Sequence, residues 1–203
     1  MATLTPRTRV ALHVTYGFIA ALLIVLLITV LTTLSRPAQA EGAFTVTSAD
    51  MPDGSTITEA QVYNGFGCTG KNISPGLSWT GAPEGTKSFA VTMYDPDAPT
   101  GSGWWHWIVY DIPGLSDGLP TGVGSGATPL PKHVHQASND YGAASYGGPC
   151  PPAGAKAHRY TITVYALPTE KLDVPENASA ALIGFNLKAN ALGSASLTAT
   201  FGR

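Results

Sequence analysis

The stretch His158-Arg-Tyr-Thr-Ile-Thr-Val-Tyr-Ala166 constrains the fold more than any other in the chain. Its period of two places Tyr160, Ile162, Val164 and Ala166 on one face of an extended strand. His158 heads the strand on that same face. A strand with one apolar face needs a sheet around it and a second layer over it. Phe44-Thr-Val-Thr-Ser48 alternates in the same way. So does Phe89–Tyr94, with Phe89, Val91 and Met93 on one face. Trp107-Ile-Val-Tyr110 follows and runs out at Asp111-Ile-Pro113-Gly114. If Trp107 and Val109 face one side, His106 and Ile108 face the other. A short strand is expected near Leu197–Phe201.

One helix is expected. Asp173 is read as its N-cap, with Glu176 three residues on as a capping box. Leu182, Phe185, Ala189 and Leu192 form its apolar stripe, and Gly193 ends it. Gly and Pro number 23 and 16 while charged residues make up 12%, a balance that favours a loop-rich β domain over a helical bundle. The segment Gly114–Pro152 has little periodicity and reads as ordered surface loops. Loops of that length are often functional.

Residues 1–40 read as a leader rather than part of the fold. Arg7 and Arg9 precede the uncharged run Val14–Leu34, and Ala38-Gln39-Ala40 offers a small-residue cleavage site. The run is also long enough to span a bilayer, which takes about 20 residues. The expectation is a cleaved signal peptide, or otherwise a retained N-terminal membrane anchor. Either puts residues 41–203 outside the cytoplasm as one domain, periplasmic or secreted, with no membrane contact beyond the leader.

Of the eleven Lys and Arg, Arg7, Arg9 and Arg36 fall in the leader, leaving eight against thirteen Asp and Glu. An acidic domain of this kind is not a nucleic-acid surface. Both cysteines, Cys68 and Cys150, lie in the exported part. An oxidising compartment favours a disulfide between them over two buried thiols. No metal site and no cofactor are expected. His133-x-His135 is too weak a match for a metal, and Cys68 and Cys150 have no Cys or His neighbours.

The chemistry concentrates in Asp95-Pro-Asp-Ala-Pro-Thr-Gly-Ser-Gly-Trp-Trp-His-Trp107. Two prolines stiffen the loop and hold Asp95 and Asp97 at defined angles. Asp95 lies eleven residues before His106, across a turn, so the two are expected to pair, the carboxylate orienting the ring. His158 follows the rigid approach Gly148-Pro149-Cys150-Pro151-Pro152. Two imidazoles, two carboxylates and indole rings meeting at one sheet end make a small pocket. Its donors suit a compact anion such as phosphate. Asn72-Ile-Ser74 and Asn177-Ala-Ser179 match the glycosylation pattern.

The ordered set Cys68-TGKNISPGLS-Trp79, Tyr94-DPDAPTGSGWWH-Trp107, Gly147-GPCPPA-Gly154 and His158-RYTITVYA-Leu167 resembles the phosphatidylethanolamine-binding protein family, also called Raf kinase inhibitor-like, and looks closest to its bacterial branch. The resemblance implies a mainly β fold: a large antiparallel sheet packed on a smaller one, Greek-key connections and a few peripheral helices. It also implies a small anion pocket, with Asp95, Asp97, Trp104, His106, Cys150, Pro151 and His158 carried over by motif. Cys150 stands where animal members have Gly. The implied function is a non-enzymatic binding protein for phosphate or a phosphorylated head group such as phosphoethanolamine. One alternative is an interaction module inhibiting an extracytoplasmic protease, a kinase or a host protein. The other is a hydrolase in which Asp95–His106 activates water or Ser102.

Overall fold

A computed structural model describes residues 42–203. The leader and its signal-or-anchor reading lie outside the described residues. No helix among the described residues is long and apolar enough to cross a membrane.

The strands are β1 (Thr45–Thr47), β2 (Asn64–Gly65), β3 (Cys68–Thr69), β4 (Leu77–Thr80), β5 (Ser88–Asp95), β6 (Trp104–Pro113), β7 (Gly118–Leu119), β8 (His135–Gln136), β9 (His158–Leu167) and β10 (Gly193–Phe201). The helix α1 (Ala180–Asn190) sits between β9 and β10. A five-stranded sheet runs in the order β10-β9-β5-β6-β8, with every pair antiparallel. A three-stranded sheet, β1-β4-β7, lies over it, and β2-β3 form a short ribbon. The fold is thus mainly β, a large antiparallel sheet on a smaller one. In place of a few helices, the described residues contain one.

Alternation places the core as the sequence implies. Tyr160, Ile162, Val164 and Ala166 of β9 join Val91 and Met93 of β5 and Trp107 of β6 in one cluster, with Val46, Leu77 and Trp79 from the small sheet. Tyr165 and Leu167 point to the other face, where they meet Ile183 and Leu187 of α1. The expected terminal strand is longer than its alternation suggested and pairs with β9 along its whole length, Gly193 opposite Ala166 through Phe201 opposite His158.

The helix corrects the sequence reading twice. It starts at Ala180, capped by the Ser179 hydroxyl, which accepts from the Leu182 N–H at 3.2 Å. Asp173 caps nothing, because the preceding segment is tied to the sheet. The Leu172 N–H donates to Asp111 Oδ1 at 2.8 Å, and Leu172 and Val174 pack on the outer cluster. The buried face is Ala180, Ile183, Gly184 and Leu187, while Leu182, Phe185 and Leu192 are exposed. The helix is apolar on both sides, and Gly184 decides between them. A Cβ there would lie 2.7 Å from the Trp105 ring, so only the glycine face lets the helix approach the sheet. Gly193 does not stop the helix but begins β10; Ala191 is the C-cap.

Candidate functional site

Three strand ends converge at one edge of the large sheet: the end of β5, the start of β6 and the start of β9. The antiparallel order puts Asp95, Trp104 and His158 there together. A bulge adds His106. Trp107 opposes Met93 and Trp105 opposes Tyr94, so His106 is the extra residue on β6. A bulge turns its residue out of the regular alternation. His106 consequently lies on the inner side with Trp107, its ring 5.2 Å from that of Tyr160, and not on the outer side with Ile108. The expected alternation of 106 with 108 fails for that reason.

These residues surround a cavity of about 250 Å³. Asp95, His106, His158 and Tyr160 are all buried around it. Phe66, Trp104, Tyr141 and the Cys150-Pro151-Pro152 segment complete the wall and mouth. Of the residues singled out from sequence, Asp95, Trp104, His106, Cys150, Pro151 and His158 line the cavity, and Asp97 does not.

The pairing differs from the expected one. Asp95 Oδ2 accepts from His158 Nδ1 at 2.8 Å, not from His106. β9 lies directly beside β5, so the head of one meets the tail of the other. His106 instead directs Nδ1 at the Gly147 carbonyl, 2.7 Å away. The second oxygen of Asp95 accepts from the Asp97 N–H at 2.8 Å, closing the turn across Pro96. Asp97 works outside the cavity. Its carboxylate takes Arg159 Nε at 2.9 Å and Nη2 at 2.7 Å, plus the Arg159 backbone N–H at 2.9 Å. This fork pins the proline loop to β9, and the guanidinium holds the Asp97 carboxyl down at about 2.

Burial pushes the His106 ring down to about 4, against the pull of the Gly147 and Gly148 carbonyls and the Asp95 charge. The ring is therefore neutral near pH 7. Burial also raises the Tyr160 phenol far above its ordinary range, helped by Asp95, so it remains an O–H. Two polar atoms on the wall, Trp104 Nε1 and Tyr160 Oη, are buried without a hydrogen-bond partner among the described residues. Such groups are costly to leave unsatisfied.

Several contributors escaped the sequence reading. Tyr160 was legible in principle, two residues after His158 on the same strand face. Tyr141 stacks on Tyr63 with ring centroids 4.0 Å apart and donates to the Gly148 carbonyl. Phe66 is 70% exposed at the mouth and has a left-handed backbone, φ 52°. Arg203 fixes it, donating to the carbonyls of Phe66, Gly67 and Pro151. No local pattern announces a clamp between residues so distant in sequence. Cys68 and Cys150 are joined, with the sulfurs 2.09 Å apart, which ties the Phe66 turn to the Pro151 wall. The Asn72 side chain accepts from the Gly148 N–H at 2.7 Å and donates to the Tyr146 carbonyl, so it is a loop brace rather than an exposed glycan acceptor. Ser102 is exposed on the loop and does not line the cavity, while the Thr100 hydroxyl donates to the Gly103 carbonyl. His135 stacks on Tyr110, 5.6 Å between centroids.

The family model of phosphatidylethanolamine-binding proteins matches residues 47–202. The chain belongs to the phosphatidylethanolamine-binding protein family. It is 51% identical to Escherichia coli YbcL over 85% of this chain and 94% of that protein. Identity to LppC of Mycobacterium tuberculosis, named as a lipoprotein, is 36% over 82% of this chain and 76% of that one. The crystal structure of YbcL superposes with a TM-score of 0.77 at 50% identity, covering 80% of this chain and 99% of that one. The Chlamydia trachomatis homologue CT736 does so at 0.65 and 28%, covering 79% and 98%.

Proposed function

We propose that the protein is an extracytoplasmic binding protein, without enzymatic activity, whose pocket takes phosphate or a phosphorylated head group such as phosphoethanolamine. One observation carries the reading: the buried rings of His106 and His158 each bring an unpartnered, accessible Nε2 to a cavity sized for a compact group. A hydrogen phosphate group can exchange hydrogen bonds with such nitrogens. Asp95, Trp104, His106 and His158 are the ligand contacts; Cys150 and Pro151 are the rim. Asp97 serves as a loop clip. The family's name is that of a binding protein, and among the described residues the Thr100 hydroxyl on the pocket wall is engaged with the Gly103 carbonyl. The Cys68–Cys150 disulfide, the lipoprotein relative and the basic-apolar-small leader support the extracytoplasmic placement.

Calorimetry with inorganic phosphate and with O-phosphoethanolamine tests this. Binding of either, abolished in His106→Ala with the thermal transition retained, is the expected result. No heat for either ligand and no density in crystals soaked in phosphate would sink the reading.

Phe66, exposed at the mouth, favours a second reading in which an extracytoplasmic protein docks over the pocket. A pull-down from the envelope fraction that returns one stoichiometric partner with wild type, but not with Phe66→Ser, would support it.

A further inference from the structure

Built on the anion-pocket reading, the inference concerns what kind of anion the pocket accepts. We propose that it admits an oxyanion only together with a proton, and so prefers phosphate, which carries one, to sulfate, which does not.

Among the described residues, the cavity wall contains no Lys or Arg, and its carboxylate is that of Asp95. The arginines closest to it are engaged elsewhere, Arg159 with Asp97 and Arg203 with three carbonyls. Among the described residues, no Lys or Arg side chain therefore lines the cavity to neutralise an incoming anion.

The hydrogen-bond partners assign both rings. Gly147 O and the Asp95 carboxylate can only accept, so His106 Nδ1 and His158 Nδ1 both carry hydrogen. In His106, which burial holds neutral, the other nitrogen, Nε2, is then a lone pair. Neither Nε2 has a hydrogen-bond partner among the described residues, and neither is sealed from solvent. The cavity thus reaches the bare nitrogen of His106, whereas Trp104 Nε1 and Tyr160 Oη are sealed from it and the Tyr141 hydroxyl is spent on Gly148.

A hydrogen phosphate group matches such a nitrogen, because it brings an O–H for the His106 lone pair. Sulfate brings lone pairs alone. It would set them against an Nε2 lone pair and near the Asp95 charge unless a ring took up a proton first. The groups facing His106 divide on that step. Asp95 from β5 and Asp140 from the loop before Tyr141 favour the protonated ring, as do the Gly147 and Gly148 carbonyls. Tyr160 from β9 and Tyr141 are neutral phenols that help to enclose it. Enclosure wins in the free protein, so sulfate must supply the free energy of ring protonation from its own binding.

The test is calorimetric titration of the full chain with inorganic phosphate and inorganic sulfate at pH about 5.5 and about 7.5. Each titration is run in two buffers of different ionisation enthalpy, which counts the protons taken up. Phosphate is expected to bind at both pH values. Sulfate is expected to bind at least about tenfold more weakly at the higher pH, to weaken by up to about tenfold per pH unit, and to take up about one proton. In His106→Gln, whose amide donates without titrating, the preference for phosphate should shrink by about tenfold. Sulfate binding as tightly as phosphate at the higher pH, without proton uptake, overturns the proton requirement and leaves the anion reading standing. Failure of both anions at both pH values overturns the anion reading and this inference with it.

Discussion

Burial holds His106 neutral, with its pKa pushed down to about 4 from an ordinary 6.5. Between those values the unfolded chain binds a proton that the folded one refuses. Stability from this residue is complete above about 6.5 and drains away as the pH falls to about 4, by on the order of 3 kcal/mol. Urea unfolding midpoints measured across that window should fall with pH in the wild type and flatten in His106→Gln; equal slopes would mean another group dominates. The site's residues were visible in the sequence because acid-proline and Trp-His clusters are dense and local. Their partners were not. Asp95 lies eleven residues from His106 but bonds to His158, 63 residues away, because strand order rather than chain distance decides which ends meet. His106 reaches the pocket through one extra residue in β6, and a bulge leaves no trace in an alternation pattern.

At the scale of elements, strands were easier to read than the helix. The inner faces of β5 and β9 follow the period-two pattern, although α1 also covers part of the outer face at Ala90, Tyr165 and Leu167. The helix offers two apolar stripes, so periodicity could not choose between them. Gly184→Ala should test the choice that the fold makes. The new methyl meets the Trp105 ring, and overpacking of this kind costs typically about 1–3 kcal/mol, read as a drop in denaturation midpoint. Leu182→Ser and Phe185→Ser, on the stripe that the pattern favoured, should stay within about 0.5 kcal/mol of wild type. A larger loss there than at Gly184 would mean that the helix buries its other face. Ser179 shows the same limit at the helix start. Asp173 has the better capping box, but Leu172 is held by Asp111, and a helix cannot begin inside a segment that the sheet has already claimed.

Across the whole molecule, the Cys68–Cys150 bond joins residues 82 apart and ties the mouth of the pocket together. Its loss in a Cys68→Ser, Cys150→Ser double variant should lower stability by roughly 2–4 kcal/mol and weaken phosphate binding, through the freed Phe66 turn. Mass spectrometry of the alkylated, unreduced wild type should find no labelled thiol; two labels would refute the bond. Arg203, two residues past β10, completes that closure, so the mouth of the pocket depends on residues as distant as Phe66 and Arg203. By itself the sequence determined the fold class, the inner face of β9, the acid, indole and imidazole groups at the core of the pocket and the cysteine pair, because alternation and motif are properties of neighbouring residues. The tertiary structure decided that Asp95 orients His158, that Asp97 leaves the pocket to clip Arg159, that His106 turns inward and that α1 buries its glycine side. Each of those outcomes depends on which strands lie side by side and where a bulge or a glycine lets them approach, and the balance between such packings is settled only when the sheet is assembled.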